Sequence, residues 1–218
     1  MLKNISNSSK IIGSLGLIVI IIANLTTGQF NLLTLATLIG GITGFLSVIM
    51  IVNRSWWAGI TGLISAILYI FIAIVGKNPS DAVLNAFFVL ALDIPIIVNS
   101  EWKNDSEPND ITKLQTIYLT IVFLVVFGLM FYMESYILNT PRAFWSPLAS
   151  SIGITAAVST GMFRVKQGFF IWSAQNILQV VLWSATALSG DASWGMAIVY
   201  IFYTLNATSS FFNGKWFK

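Results

Sequence analysis

Three carboxamides and two indoles share one short stretch of the chain: Trp172, Gln175, Asn176, Gln179 and Trp183 stand at i, i+3, i+4, i+7 and i+11. At about 100° per helical residue they fall within about 60° either side of one line, so a helix there carries them as one stripe. Amides donate and accept hydrogen bonds without charge, which suits a neutral polar ligand such as a base or a sugar. Indole faces stack on planar rings. The same amides would also serve to bond helix to helix. Their sharing a stripe with Trp favours a binding site over that structural role. Further along, Tyr203 and Asn206 lie one helical turn apart, with Tyr200 as an additional candidate. Asn85 and Phe88 repeat that spacing earlier in the chain, and Leu92 follows on their face. Asp93 is the one acid well inside an apolar run, and it precedes Pro95. On a straight helix it sits about 80° off the Asn85–Leu92 line. It is therefore an auxiliary candidate, open to three readings: a contact for a cationic substrate, a carrier of a coupling proton, or a group near the helix end. The last is favoured. Glu134 is expected at a helix end in contact with solvent.

Much other chemistry is excluded by composition. The 218 residues contain no His and no Cys, so no His or Cys metal site, disulfide, catalytic thiol or Ser–His pair can form. No GxxxxGK[ST] run is present, which removes P-loop ATP hydrolysis. An enzyme is not expected, nor a cofactor or metal. Hydrophobic residues are 56% and charged residues only 9%, with a mean hydropathy of +0.83. Soluble domains carry about 25% charged residues. The net charge of +3 is small and its Lys and Arg are dispersed, so nucleic acid is not a partner. The bilayer is.

The stripes need helices to hold them. Eight apolar segments are long enough to cross a membrane: residues 11–25, 32–52, 57–75, 82–98, 114–133, 145–163, 169–188 and 194–212. They lack the alternation of barrel strands. Turn chemistry separates them, as at Thr26–Gly28, Asn53–Ser55, Gly76–Ser80 and Gly190–Ser193. Residues 99–113 hold four acids, two bases and a Pro, which reads as a solvated linker. The first segment has the basic start and short apolar run of a signal peptide. It lacks a clean small-residue cleavage site near Ala23, and is expected to stay as a helix. With the N-terminus inside and eight crossings, Lys3, Lys10, Arg54, Lys103, Lys113, Arg164, Lys166, Lys215 and Lys218 face the cytoplasm. Only Lys77 and Arg142 face outward. That division obeys the positive-inside rule and places both termini in the cytoplasm of a cell-membrane protein.

The chain also repeats itself. At a spacing of 114, Leu68, Ala73, Gly76, Asn99 and Trp102 match Leu182, Ala187, Gly190, Asn213 and Trp216, and Tyr69 falls opposite Trp183. At 113, Ala36, Gly40 and Gly44 fall opposite Ala149, Gly153 and Ala157. Both of these sets put small side chains on one stripe, and Gly161 extends the second; such stripes let backbones approach in lipid. The expected fold is thus an all-α membrane protein with eight transmembrane helices. Two parallel three-helix units, 32–98 and 145–212, are joined by a linking helix at 114–133, with an extra N-terminal helix at 11–25. This is the SWEET-like arrangement, with a solute site between the units.

From about Leu32 to Trp216 the chain resembles the PnuC-type vitamin transporters. Phe169-x-x-Trp172-x-x-x-Asn176 is similar to that family's Trp-x-x-Trp-x-x-x-Asn. Tyr203-x-x-Asn206, Trp216, Asp81-Ala82-x-Leu84-Asn85 and Trp102 also look like the family pattern. The resemblance implies a homotrimer that moves nicotinamide riboside, thiamine, riboflavin or deoxynucleosides by facilitated diffusion, with cytosolic phosphorylation as a trap. It nominates Trp172, Asn176, Tyr203, Asn206 and Asn85 for substrate, and nicotinamide riboside as the leading substrate. Phe169 stands where the family usually has Trp and Phe88 where a Tyr is frequent. Both changes remove a polar handle, and a deoxyribonucleoside would suit the neutral amides equally well.

Overall fold

The structure is a computed structural model, and it describes residues 6–26, 31–104, 106–213 and 215–217. Lys3 and Lys218 of the charge count and residues 27–28 of the first turn lie outside the described residues. Among the described residues there are eight long helices: α1 (Asn7–Leu25), α2 (Leu32–Val52), α3 (Trp57–Val75), α4 (Pro79–Val98), α5 (Lys113–Leu138), α6 (Trp145–Ala157), α7 (Gly168–Leu188) and α8 (Gly195–Asn213). A single turn at Ser100–Lys103 interrupts the linker. Side-chain oxygens of Ser6, Asn31 and Thr112 accept the first free backbone N–H groups of α1, α2 and α5. Gln115 completes a capping box on α5. Pro79 opens α4, where its missing N–H costs nothing.

Helices α1 to α5 are long and apolar enough to cross a bilayer. The other three bury polar side chains, among them Ser150, Thr155, Gln175, Gln179 and Asn206. Large apolar side chains cover the outside of α1 and α5, including Ile11, Ile18, Leu114, Leu124 and Leu129. Water would not tolerate so wide an apolar surface, whereas acyl chains would.

Six helices close a ring: α2 packs on α3, α3 on α4, α4 on α6, α6 on α7, α7 on α8, and α8 back on α2. The order α2–α3–α4 is repeated by α6–α7–α8. The remaining helices sit outside the ring, α1 against α2 and α8 and α5 against α6. Helix α1 turns Gly13 and Gly16 inward to Ile49 and Phe45 of α2.

The turns after α3 and α7 are built alike. The N–H groups of Gly76, Lys77 and Asn78 reach the carbonyls of Ile72, Ile74 and Ala73. Those of Ser189, Gly190 and Asp191 reach Ala185, Ala187 and Thr186. Lys77 and Gly190 take the left-handed conformation, at φ 56° and 78°. The turns therefore superpose at 113 rather than at the 114 given by matching Gly76 to Gly190. Glycine fills that conformational role in one turn and Lys in the other.

Three stretches are wound wider, with N–H groups reaching five residues back: Val89–Asp93 in α4, Met133–Leu138 at the end of α5, and Val158–Met162 extending α6. The first and third cross. A Cβ at Gly161 would lie 2.2 Å from the Ala91 carbonyl oxygen and 2.7 Å from the Leu92 Cα, so backbone meets backbone there. The second overturns an expectation. Glu134 is fully buried rather than solvated, because α5 continues past residue 133 to Leu138. Its carboxylate accepts from the Ser80 N–H at 2.9 Å, Ser146 Oγ at 2.8 Å and Thr140 Oγ1 at 2.5 Å. Trp216 is likewise buried.

Candidate functional site

The ring surrounds a partly open cavity whose empty space, its mouth included, is about 660 Å³. Of the residues nominated from sequence, Asn85, Phe88, Asp93, Trp172, Gln175, Asn176 and Tyr203 line it. The α7 stripe thus reaches it through its first half. Gln175 has no hydrogen-bond partner for either amide atom among the described residues, and Asn176 none for its oxygen. Asn85 gives its Nδ2 to the Asp81 carbonyl at 2.8 Å and leaves its oxygen unpartnered. Buried amides normally find partners, so this set is poised for a polar ligand. Phe88 and Trp172 make an aromatic wall, with ring centroids 5.3 Å apart at 54°. Trp172 Nε1 donates to Thr160 Oγ1 at 3.0 Å, which fixes the indole plane.

The second half of the stripe does other work. Gln179 is buried above the cavity and donates to Asp81 Oδ1 at 2.5 Å. Trp183 is buried in an apolar cluster with Tyr69, Ile72 and Tyr200. Asn206 is buried, with no partner for either amide atom among the described residues, but does not line the cavity. Asp93 lines it as well, five residues before the end of α4 at Val98. The wide turn at Val89–Asp93 is the reason: one extra residue in a turn sets the following side chains back by about 100°, which brings Asp93 within about 20° of the Asn85 line.

Other lining residues carried weaker signals. Gly44 belonged to a stripe read as helix packing, Tyr69 to a repeat match, Phe169 to a motif departure, and Tyr200 was an additional candidate. Ser47, Gly62 and Ser65 gave no sign at all. Together with small residues Ala66 and Ala207 they make the cavity's room. Tyr69 and Tyr203 join across the ring, hydroxyl to hydroxyl, at 2.9 Å.

The cavity occupies the half of the ring nearer the linker. On the other side, the turns after α3 and α7 are bound together by Arg142, which is buried. Its Nε donates to Asn78 Oδ1 at 2.8 Å, Nη2 to the Gly76 carbonyl at 2.7 Å and Asp191 Oδ2 at 3.2 Å, and Nη1 to Ser189 Oγ at 3.1 Å. Gly76 with Ser189, and Asn78 with Asp191, are pairs 113 apart. One guanidinium therefore holds equivalent positions of both turns. Asn78 Nδ2 also donates to Thr186 Oγ1 at 3.0 Å. Lys77 pairs with Asp191 at 2.7 Å, and that bond leads the causes that hold the Asp191 carboxyl below the usual carboxylate range.

Apolar helices long enough to span a bilayer, wrapped round a cavity of unpartnered amides and aromatic rings, are the parts of a multi-pass membrane transporter for a small molecule. The chain belongs to the nicotinamide mononucleotide transporter family, whose model matches residues 34–218. Its fold is similar to that in the crystal structure of the vitamin B3 transporter PnuC, with a TM-score of 0.73 over 94% of this chain and 89% of that one at 17% identity. No curated protein matches the chain in sequence.

Proposed function

We propose that this protein carries a nucleoside-like vitamin, nicotinamide riboside in the first place, across the cell membrane by facilitated diffusion. The observation that carries the reading is the cavity wall: amides, aromatic rings, hydroxyls and the Asp93 carboxyl among aliphatic side chains, with no Lys or Arg among the described lining residues. The family is named for a mononucleotide. A phosphate monoester brings two negative charges at neutral pH and needs basic partners. This wall supplies none, so it favours the dephosphorylated riboside. The sugar hydroxyls and carboxamide of such a cargo match the free atoms of Gln175, Asn176 and Asn85, and its planar ring matches Phe88 and Trp172.

All eight helices cross the membrane in this reading, and the two triplets form parallel units facing the same way. The recurrent neighbour order and the matching turns support that arrangement. Both termini lie in the cytoplasm, so the Arg142 end faces outward and the cavity lies toward the inside. Rocking of one triplet against the other moves the cargo; a cytosolic kinase then retains it. The resemblance to PnuC-type proteins further implies a homotrimer.

Binding of nicotinamide riboside to purified protein, measured by calorimetry, tests the reading. Asn176→Leu keeps the shape of the wall and removes its free acceptor, and is expected to weaken binding at least tenfold while the protein still folds. Undiminished binding with impaired assembly would mean that the amide joins helices instead.

A further inference from the structure

Asp93 is 2% exposed, lines the cavity, and has a carboxylate oxygen, Oδ2, without a hydrogen-bond partner among the described residues. The groups packed directly against it are engaged elsewhere or carry no donor. From α3, Gly59 and Gly62 press against it so closely that a Cβ at Gly62 would lie 2.1 Å from Oδ1. The Ser47 hydroxyl of α2 approaches the same glycine but donates to the Ala58 carbonyl at 2.8 Å. The hydroxyls of Tyr69 on α3 and Tyr203 on α8 bind each other, and Trp172 is committed to Thr160. The ion pairs Lys77–Asp191, Arg142–Asp191, Arg164–Glu101 and Lys166–Asp110 all lie at the ends of the helices. A carboxylate taken out of water without a counter-charge is strongly disfavoured. An acid kept at membrane depth has a function to explain it.

We propose that Asp93 is the counter-charge for a positively charged ring in the cargo, and so the residue that selects a heteroaromatic cation over a neutral nucleoside. This rests on the nucleoside-like cargo argued above and narrows it. A ring nitrogen that bears the sugar in a pyridinium riboside carries a fixed positive charge. Purine and pyrimidine nucleosides carry none at neutral pH. The carboxylate meets that charge from α4, while the faces of Phe88 and Trp172 offer it cation–π contact from α4 and α7.

The test uses two forms of one molecule: nicotinamide riboside, a cation, and its 1,4-dihydro form, which has nearly the same shape and no charge. Affinities of both are measured by calorimetry on purified wild-type protein, D93N and D93E. The wild type is expected to prefer the cation at least tenfold. D93N binds both forms with the affinity the wild type shows for the neutral one, and D93E restores the preference. A wild type that binds the two forms equally overturns the proposal, whatever becomes of the variants, and leaves the cargo reading standing. So does a D93N protein that keeps the tenfold preference. A wild type that binds neither form sinks the cargo reading itself.

Discussion

The two ends of the helix ring are fastened in different ways. At the Arg142 end, one guanidinium donates four hydrogen bonds to the turns after α3 and α7, and Asn78 and Lys77 add further bonds. At the linker end aromatic rings pack beside an ion pair, Arg164 with Glu101 at 3.3 Å. Trp102 and Trp216 lie 5.6 Å apart between ring centroids, Phe169 and Trp216 5.0 Å, and the Arg164 guanidinium covers Trp102 at 5.4 Å. Trp216 Nε1 donates to the Ile51 carbonyl at 2.8 Å there, and the Arg54 and Arg164 guanidinium groups both donate to the Ser106 carbonyl of the linker. Directional bonds sharing one donor group are lost together when the turns separate. Ring contacts have no such threshold, because apolar burial is non-directional and persists while surfaces slide. The Arg142 end should open all at once, and the aromatic end by degrees.

The strongest way to break that contrast is Arg142→Ala. Removing a buried charge from its partners costs about 3–5 kcal/mol, so a large fall in melting temperature is expected. The chain has no Cys, so Ser65→Cys gives a single reporter inside the cavity. In vesicles, a membrane-impermeant thiol reagent applied at the Arg142 face should label it rapidly in the Arg142→Ala background and slowly with Arg142 present. Equal labelling would show that Arg142 is not what closes this end. A smaller effect is expected at the aromatic end. Trp216→Phe keeps the stacking and loses one hydrogen bond, worth about 1 kcal/mol; a loss as large as that of Arg142→Ala would erase the distinction between the ends. The smallest effect concerns Asp191, whose carboxyl is held low chiefly by Lys77. A depressed acid stabilises the fold above its unfolded value of about 3.9 and ceases to do so as pH falls through its folded value. The stability gap between wild type and Asp191→Asn should therefore be full at neutral pH and vanish in strong acid.

The amide stripe was legible because a regular helix projects residues by arithmetic, and α7 is regular along its length. The arithmetic could not say where the cavity stops. Gln179 lies on the stripe of Gln175, yet its partner is Asp81, which is distant in sequence and brought near only by the ring. The angle of Asp93 was off for the opposite reason, since the turn beside it is not regular and nothing in VLALD announces a wider winding. Glu134 looked solvated because an apolar run appeared to end before it. Its burial depends on Ser80, Thr140 and Ser146 from other parts of the chain. Arg142 counted only as a positive charge in a loop, and its role appears once the two turns stand side by side.

At the crossing of α4 with the end of α6, no side chain separates the two backbones at Gly161. Elsewhere a gap between helices can be taken up by rotating a Leu or an Ile, so the joint gives a little in every direction. Here there is nothing to rotate, and the separation is set by direct contact of one backbone with the other. A lever works only if its fulcrum does not yield, and this point of the molecule has the stiffness of one.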